Sequence, residues 1–160
     1  METTATDAEA KRIAQTLRDT YAGDAWVGPS LHDILRGLTP AQAYSHPIPN
    51  AHSVWEIILH MTAWRLFAWH RLEGNSAFTI ASPEEDWPPV ENDSLPAWEA
   101  ALTGLEKSQQ LLLAALDGLP DAKLRERVPG KDYSFYKLLH GIIGHDLYHG
   151  GQIVLLRKMA

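Results

Sequence analysis

The chain has 160 residues, 45% of them hydrophobic and 21% charged, and a formal net charge of −6. That length favours one domain, residues 1–160, around one core, and the scattered lysines and arginines exclude the clustered basic face that nucleic acid requires. Cysteine is absent, so disulfides, thiolate metal sites and a cysteine nucleophile are excluded, and any thiol in the chemistry has to arrive with a ligand.

The first ten residues, METTATDAEA, lack the basic-then-apolar pattern of a secretory signal. The longest apolar stretch, VWEIILHMTAWRLFAWHRL, is broken by Glu56, His60 and Arg65, whereas a membrane span needs roughly 18 uninterrupted apolar residues. The expectation is a cytoplasmic protein without a membrane partner. Alternating β-branched runs and hairpin dipeptides are missing, while helical periodicity is strong, so the fold class is all-α.

A first helix is expected from about Asp7. It is interrupted at GDAWVGPS by a kink or short loop and resumes through Leu31, Ile34, Leu35 and Leu38. A second starts at Ser53, whose capping box closes on Glu56, and ends near Gly74. A third begins near Ser94 with Pro96 in its first turn and stops at Asp117-Gly118. A fourth starts near Asp132 or Ser134 and runs almost to the end, with Arg157 and Lys158 complementing the dipole of its last turn.

Between the second and third helices lies NSAFTIASPEEDWPPVEND, rich in proline and acids and without periodicity. Neighbouring antiparallel helices need only about 2–8 linking residues. About 19 extended residues, at up to about 3.3 Å each, exceed the roughly 33 Å length of a 22-residue helix. The linker can return along the whole molecule, which predicts a four-helix bundle with a long crossover between helices two and three.

In the fourth helix Phe135, Leu138, Ile142, His145, His149, Gln152 and Leu156 are separated by alternating steps of three and four, the spacing of the seam that faces partner helices. His60 lies in the corresponding seam of the second helix, Ile57, His60, Trp64, Phe67. Gln109 lies midway along that of the third, Trp98, Leu102, Leu105, Gln109, Leu112, Leu116. A polar group buried without a partner costs about 1–3 kcal/mol. A divalent cation held by His60, His145 and His149 removes that cost, since histidines four residues apart share a helix face. Three protein ligands also leave a coordination position open, the arrangement of catalytic zinc. The alternative is a set of satisfied core histidines or a file of buried water. His32, His46, His70 and His140 read as surface or packing residues, and His52 could reach the mouth of the site.

Gly141, Gly144, Gly150 and Gly151 each cost a helix about 1 kcal/mol relative to alanine. Close approach of a neighbouring backbone, near WVGPS, would offset that cost and make Gly151→Leu strongly destabilising. A second protomer packed on this face, giving a homodimer, is the other explanation.

HSVWEIILHMTAW, followed about 80 residues later by GIIGHDLYHGGQIVLLRK, resembles the DinB-like (DinB/YfiT) family of metal-dependent enzymes; WVGPSL and the chain length agree with it. The resemblance implies a four-helix bundle of up-down-down-up order in which His60, His145 and His149 hold a divalent metal ion, zinc or nickel. It implies Asn after the first of the paired ligands, where this chain has Asp146. Family members include transferases and an isomerase that use low-molecular-weight thiols such as bacillithiol or mycothiol, and others are described only as hydrolases.

The resulting expectation is a transferase carrying sulfur from a low-molecular-weight thiol to an electrophilic small molecule. A hydrolase using metal-activated water is the alternative, and a non-catalytic metal- or ligand-binding stress protein is a third reading. Glu56, one turn before His60, is the candidate general base, although its capping box already accounts for it. Gln109 and Gln152 are candidates for orienting water or substrate, or else they satisfy one another across the core. Trp64, Phe67 and Trp98 read as core.

Overall fold

The computed structural model describes residues 8–160, which form eight helices and no strand. The Asp7 start expected for the first helix lies outside the described residues. Four long helices build the bundle: α1 (Glu9–Ala22), α4 (Val54–Leu72), α6 (Leu95–Leu116) and α8 (Phe135–Met159). Short helices α2 (Leu31–Leu35), α3 (Pro40–Tyr44), α5 (Pro83–Asp86) and α7 (Asp121–Arg125) lie in the connections. No helix among the described residues is long and apolar enough to cross a membrane.

The boundaries follow local chemistry. Ser53 accepts from the Glu56 amide while the Glu56 carboxylate accepts from the Ser53 amide, closing the capping box that starts α4. The hydroxyls of Ser94 and Ser134 cap α6 and α8 by accepting from the amides of Ala97 and Lys137, without the reciprocal bond. Gly74 (φ +79°) and Gly118 (φ +73°) follow the ends of α4 and α6 in the left-handed conformation that glycine adopts without steric cost. The expected resumption of the first helix is instead two separate short helices, α2 and α3, because Ser30 and Thr39 each start a new one.

Helix directions can be read from side-chain contacts. Trp55 meets Trp98 and Arg65 meets Gln109, so residue numbers rise together along α4 and α6, which run parallel. His60 meets His149 while Arg65 meets Asp146, so α4 and α8 are antiparallel. Asp121, just beyond α6, accepts from the amides of Glu9 and Ala10, and Gln109 reaches the Leu17 carbonyl, so α1 and α6 are antiparallel. The segment between α4 and α6 therefore returns along the bundle.

Two apolar clusters fill the interior. One gathers Ile13, Leu17, Phe67, Leu112, Phe135 and Leu139, and the other Ile34, Trp55, Ile58, Trp98, Leu105 and Ile153. Arg65 on α4, Gln109 on α6 and Asp146 on α8 each fall between the stretches that join these two clusters. Arg65, Gln109 and Asp146 form a buried network there, and the three seam histidines lie alongside it.

The glycine expectation is overturned. A Cβ at Gly141, Gly144 or Gly151 would meet nothing within 4 Å, and at Gly150 only the Ile34 Cδ1 at 3.4 Å. No backbone presses on this face, so the ground for expecting Gly151→Leu to be strongly destabilising is gone.

Candidate metal centre

His60 from α4 and His145 and His149 from α8 turn their Nε2 atoms towards one another. The His60–His145 separation is 2.9 Å and the His145–His149 separation 3.1 Å. His60 and His149 are buried, and His145 is partly so. The three ligand atoms lie within 4.8 Å of one another, a group that could hold a metal ion.

The outer nitrogens decide what the inner ones present. His60 Nδ1 donates to the Asp86 carbonyl at 2.7 Å and lies 3.1 Å from the Asp86 carboxylate. His149 Nδ1 donates to Gln152 Oε1 at 2.6 Å. With their ring protons on Nδ1, both neutral rings direct Nε2 lone pairs inward. A single proton on His145 Nε2 cannot satisfy both, whereas a cation accepts all three lone pairs. The donor set therefore fits a divalent metal, and metal-bound histidines take just such partners on their other nitrogen. The His145 Nδ1 is buried without a hydrogen-bond partner.

Burial pushes the His145 imidazole down to about 4, helped by the neighbouring His149 and His60 rings and by Arg65. Burial likewise lowers His149, against the opposing hydrogen bond that its Nδ1 donates to Gln152. A lowered histidine stabilises the fold above its unfolded value near 6.5, and that contribution is lost as pH falls towards the folded value. Relative to a His145→Gln variant, the metal-free wild type is expected to lose stability between about pH 6.5 and pH 4. Melting curves at stepped pH check this, and parallel curves for the two proteins would refute it.

The crossover contributes more than a return path. Its one-turn helix α5, started by the capping box of Ser82 and Glu85 with Pro83 at its first position, delivers Asp86 and Trp87 to the histidines. Trp87 stacks on His60 (centroids 3.8 Å apart, 5° between planes), and His52 stacks on Trp87 (3.5 Å, 4°). Trp64 Nε1 donates to the Asp86 carboxylate at 2.7 Å. Beside the stack lies a cavity of about 580 Å³ whose walls include His60, His149, Gln152, Trp87, Tyr148 and Leu156.

The other sequence candidates fall elsewhere. Glu56 stays in its cap, 2.7 Å from the Ser53 amide and 3.0 Å from His46 Nε2, so Asp86 replaces it as the carboxylate touching a metal-site histidine. Burial raises the Glu56 carboxyl, but the Ser53 amide and His46 outweigh that and hold it below the usual carboxylate value, which weakens it as a base. Gln109 does not pair with Gln152; it accepts from Arg65 and donates to the Leu17 carbonyl. Gln152 orients His149. Asp146 points away from the histidines into a bidentate pair with Arg65 (Nη2–Oδ2 2.6 Å, Nε–Oδ1 3.3 Å).

A model of the DinB superfamily matches residues 26–153. The chain belongs to the DinB superfamily. The matched span contains the three histidines together with Asp86, Trp87 and Gln152, so the whole centre lies within the family's portion of the chain. No curated protein and no solved structure matches the chain. Sequence reasoning missed Asp86, Trp87 and the Arg65–Asp146 pair. Arg65 carried a signal, being a charged residue inside a long and largely apolar helix.

Proposed function

We propose that this DinB-superfamily chain is a metal-dependent enzyme for S-transfer from a low-molecular-weight thiol: the thiolate sulfur, its own carbon still attached, bonds to an electrophilic small molecule, and the thiol proton leaves with the displaced group or goes to the oxygen of an opened ring. His60, His145 and His149 hold the divalent cation, zinc or nickel. The carrying observation is the convergence of three imidazole Nε2 atoms, with no fourth protein donor in the group among the described residues, beside a cavity large enough for a small molecule. When bound, the cation supplies Lewis acidity that lowers the pKa of a coordinated thiol or water.

The chain's own residues favour thiol over water. Asp86 accepts from Trp64 and His60, and Glu56 is held in its cap, so neither carboxylate stands free to take a proton. A thiol ionises near pH 8.5 unaided, whereas bulk water ionises near 15.7, so the thiol demands less of its surroundings. Asp86 and Gln152 keep the imidazoles aimed, and Trp87 shields one face of His60 from solvent.

The test is a screen of zinc- and nickel-loaded protein with bacillithiol, mycothiol and glutathione against chloronitroaromatic and epoxide electrophiles. Metal-dependent consumption of thiol and electrophile together is expected. Product formed with water alone and indifferent to every thiol would replace this reading with the hydrolase. No turnover by tightly metal-loaded protein would leave a binding protein.

A further inference from the structure

The histidine cluster borders a second recess. This one, about 210 Å³ and open to solvent, has His145 in its wall; Trp64, Tyr133, Leu138 and Ile142 supply apolar surface, and Lys137 is the charged group. The Lys137 ammonium has no ion pair among the described residues. Gly141 completes the lining, and a Cβ built there meets nothing within 4 Å. Packing therefore gives no reason for a residue that destabilises a helix relative to alanine. A recess that any longer side chain would fill does give one.

We propose that this recess binds a small carboxylate with an apolar, ring-sized body. The body lies over Gly141 against Trp64, Leu138 and Ile142, and the carboxylate pairs with Lys137. The size agrees, since an apolar cavity of about 150 Å³ accommodates benzene and the present volume leaves room for one charged substituent. A lone cation at the rim of an apolar recess selects an anionic end and an apolar end in one molecule. This assignment goes beyond thiol transfer and does not depend on it.

The probe is benzoate, titrated into metal-loaded full-length protein and followed by ligand-observed NMR, with benzyl alcohol as the uncharged counterpart. Benzoate is expected to bind with a Kd of about a millimolar, and benzyl alcohol about tenfold more weakly. Lys137→Met should weaken benzoate about tenfold and leave benzyl alcohol unchanged. Gly141→Leu should abolish both while retaining metal and melting no lower than wild type. Gly141→Ala, which adds only a methyl group, should show a partial loss and guards against misfolding of the leucine variant. Ring protons should show magnetisation transfer to the methyls of Leu138 and Ile142. The proposal is overturned by no binding at ten times the expected Kd, by binding indifferent to Gly141→Leu in folded protein, or by transfer to Tyr148 and Leu156, which would place the carboxylate in the larger cavity. None of these outcomes bears on thiol turnover, so the two readings fail separately.

Discussion

His149→Ala is expected to lower zinc affinity by more than about a hundredfold while the helical content persists. Removing a group that merely orients a metal-bound histidine costs about 10–100-fold in affinity, and removing the ligand itself costs more. Gln152→Ala supplies the comparison, because Gln152 Oε1 is the partner of His149 Nδ1; its loss should fall within that 10–100-fold range. His140→Ala is the control, since this exposed ring lies 4.0 Å from Glu9. Competition against a chromophoric chelator measures all three. Metal at a thousand times its Kd should also stabilise the wild type by about 4 kcal/mol and the His149 variant far less. Equal affinities for wild type and His149→Ala would remove the metal centre and the proposed chemistry with it.

Arg65→Met is expected to destabilise the fold by about 3–5 kcal/mol. Arg65 is fully buried, 0% exposed, and Asp146 is 4% exposed. Burial pushes the Asp146 carboxyl up to about 6, against the pull of Arg65, and the two-pronged contact between them is that of an ion pair. Taking away the guanidinium leaves an uncompensated carboxylate in the core and strips Gln109 Oε1 of its donor. At about 2–4 °C per kcal/mol for a chain of this size, the melting temperature should drop by roughly 10 °C. The double variant Arg65→Met, Asp146→Leu removes both charges and should regain most of that loss, because an apolar pair of similar volume often replaces a buried ion pair without penalty. Urea unfolding of the single and double variants decides it. If the double variant is no more stable than the single one, the pair is not an electrostatic unit.

The Asp146 position links this pair to the centre. It directly follows His145 on α8, so the Arg65 fork anchors α4 to α8 within one residue of a metal-site imidazole. Asp146, where the sequence resemblance led to the expectation of a neutral Asn, thus joins two helices.

The α-helical class, the cap at Ser53, the start near Ser94 and the stops at Gly74 and Gly118 were legible from the chain alone, because capping and left-handed glycine are contests between residues a few positions apart; between Asp132 and Ser134 as the start of α8, only the structure decided for Ser134. The seam placement of His60, His145 and His149 was legible for the same reason: a 3.6-residue repeat tells which face of a helix is buried. Which partner that face meets is another matter. Arg65 finds Asp146 81 positions away, and Asp86 and Trp87 reach His60 from a linker with no periodicity at all. Those contacts depend on how the helices stack and where the crossover lands, which no local pattern encodes. The α8 glycines mark the same boundary. The cost of Gly141 is written in its residue type, but that it faces an open recess and not a close neighbour was decided only when α4 and the start of α8 came together around it.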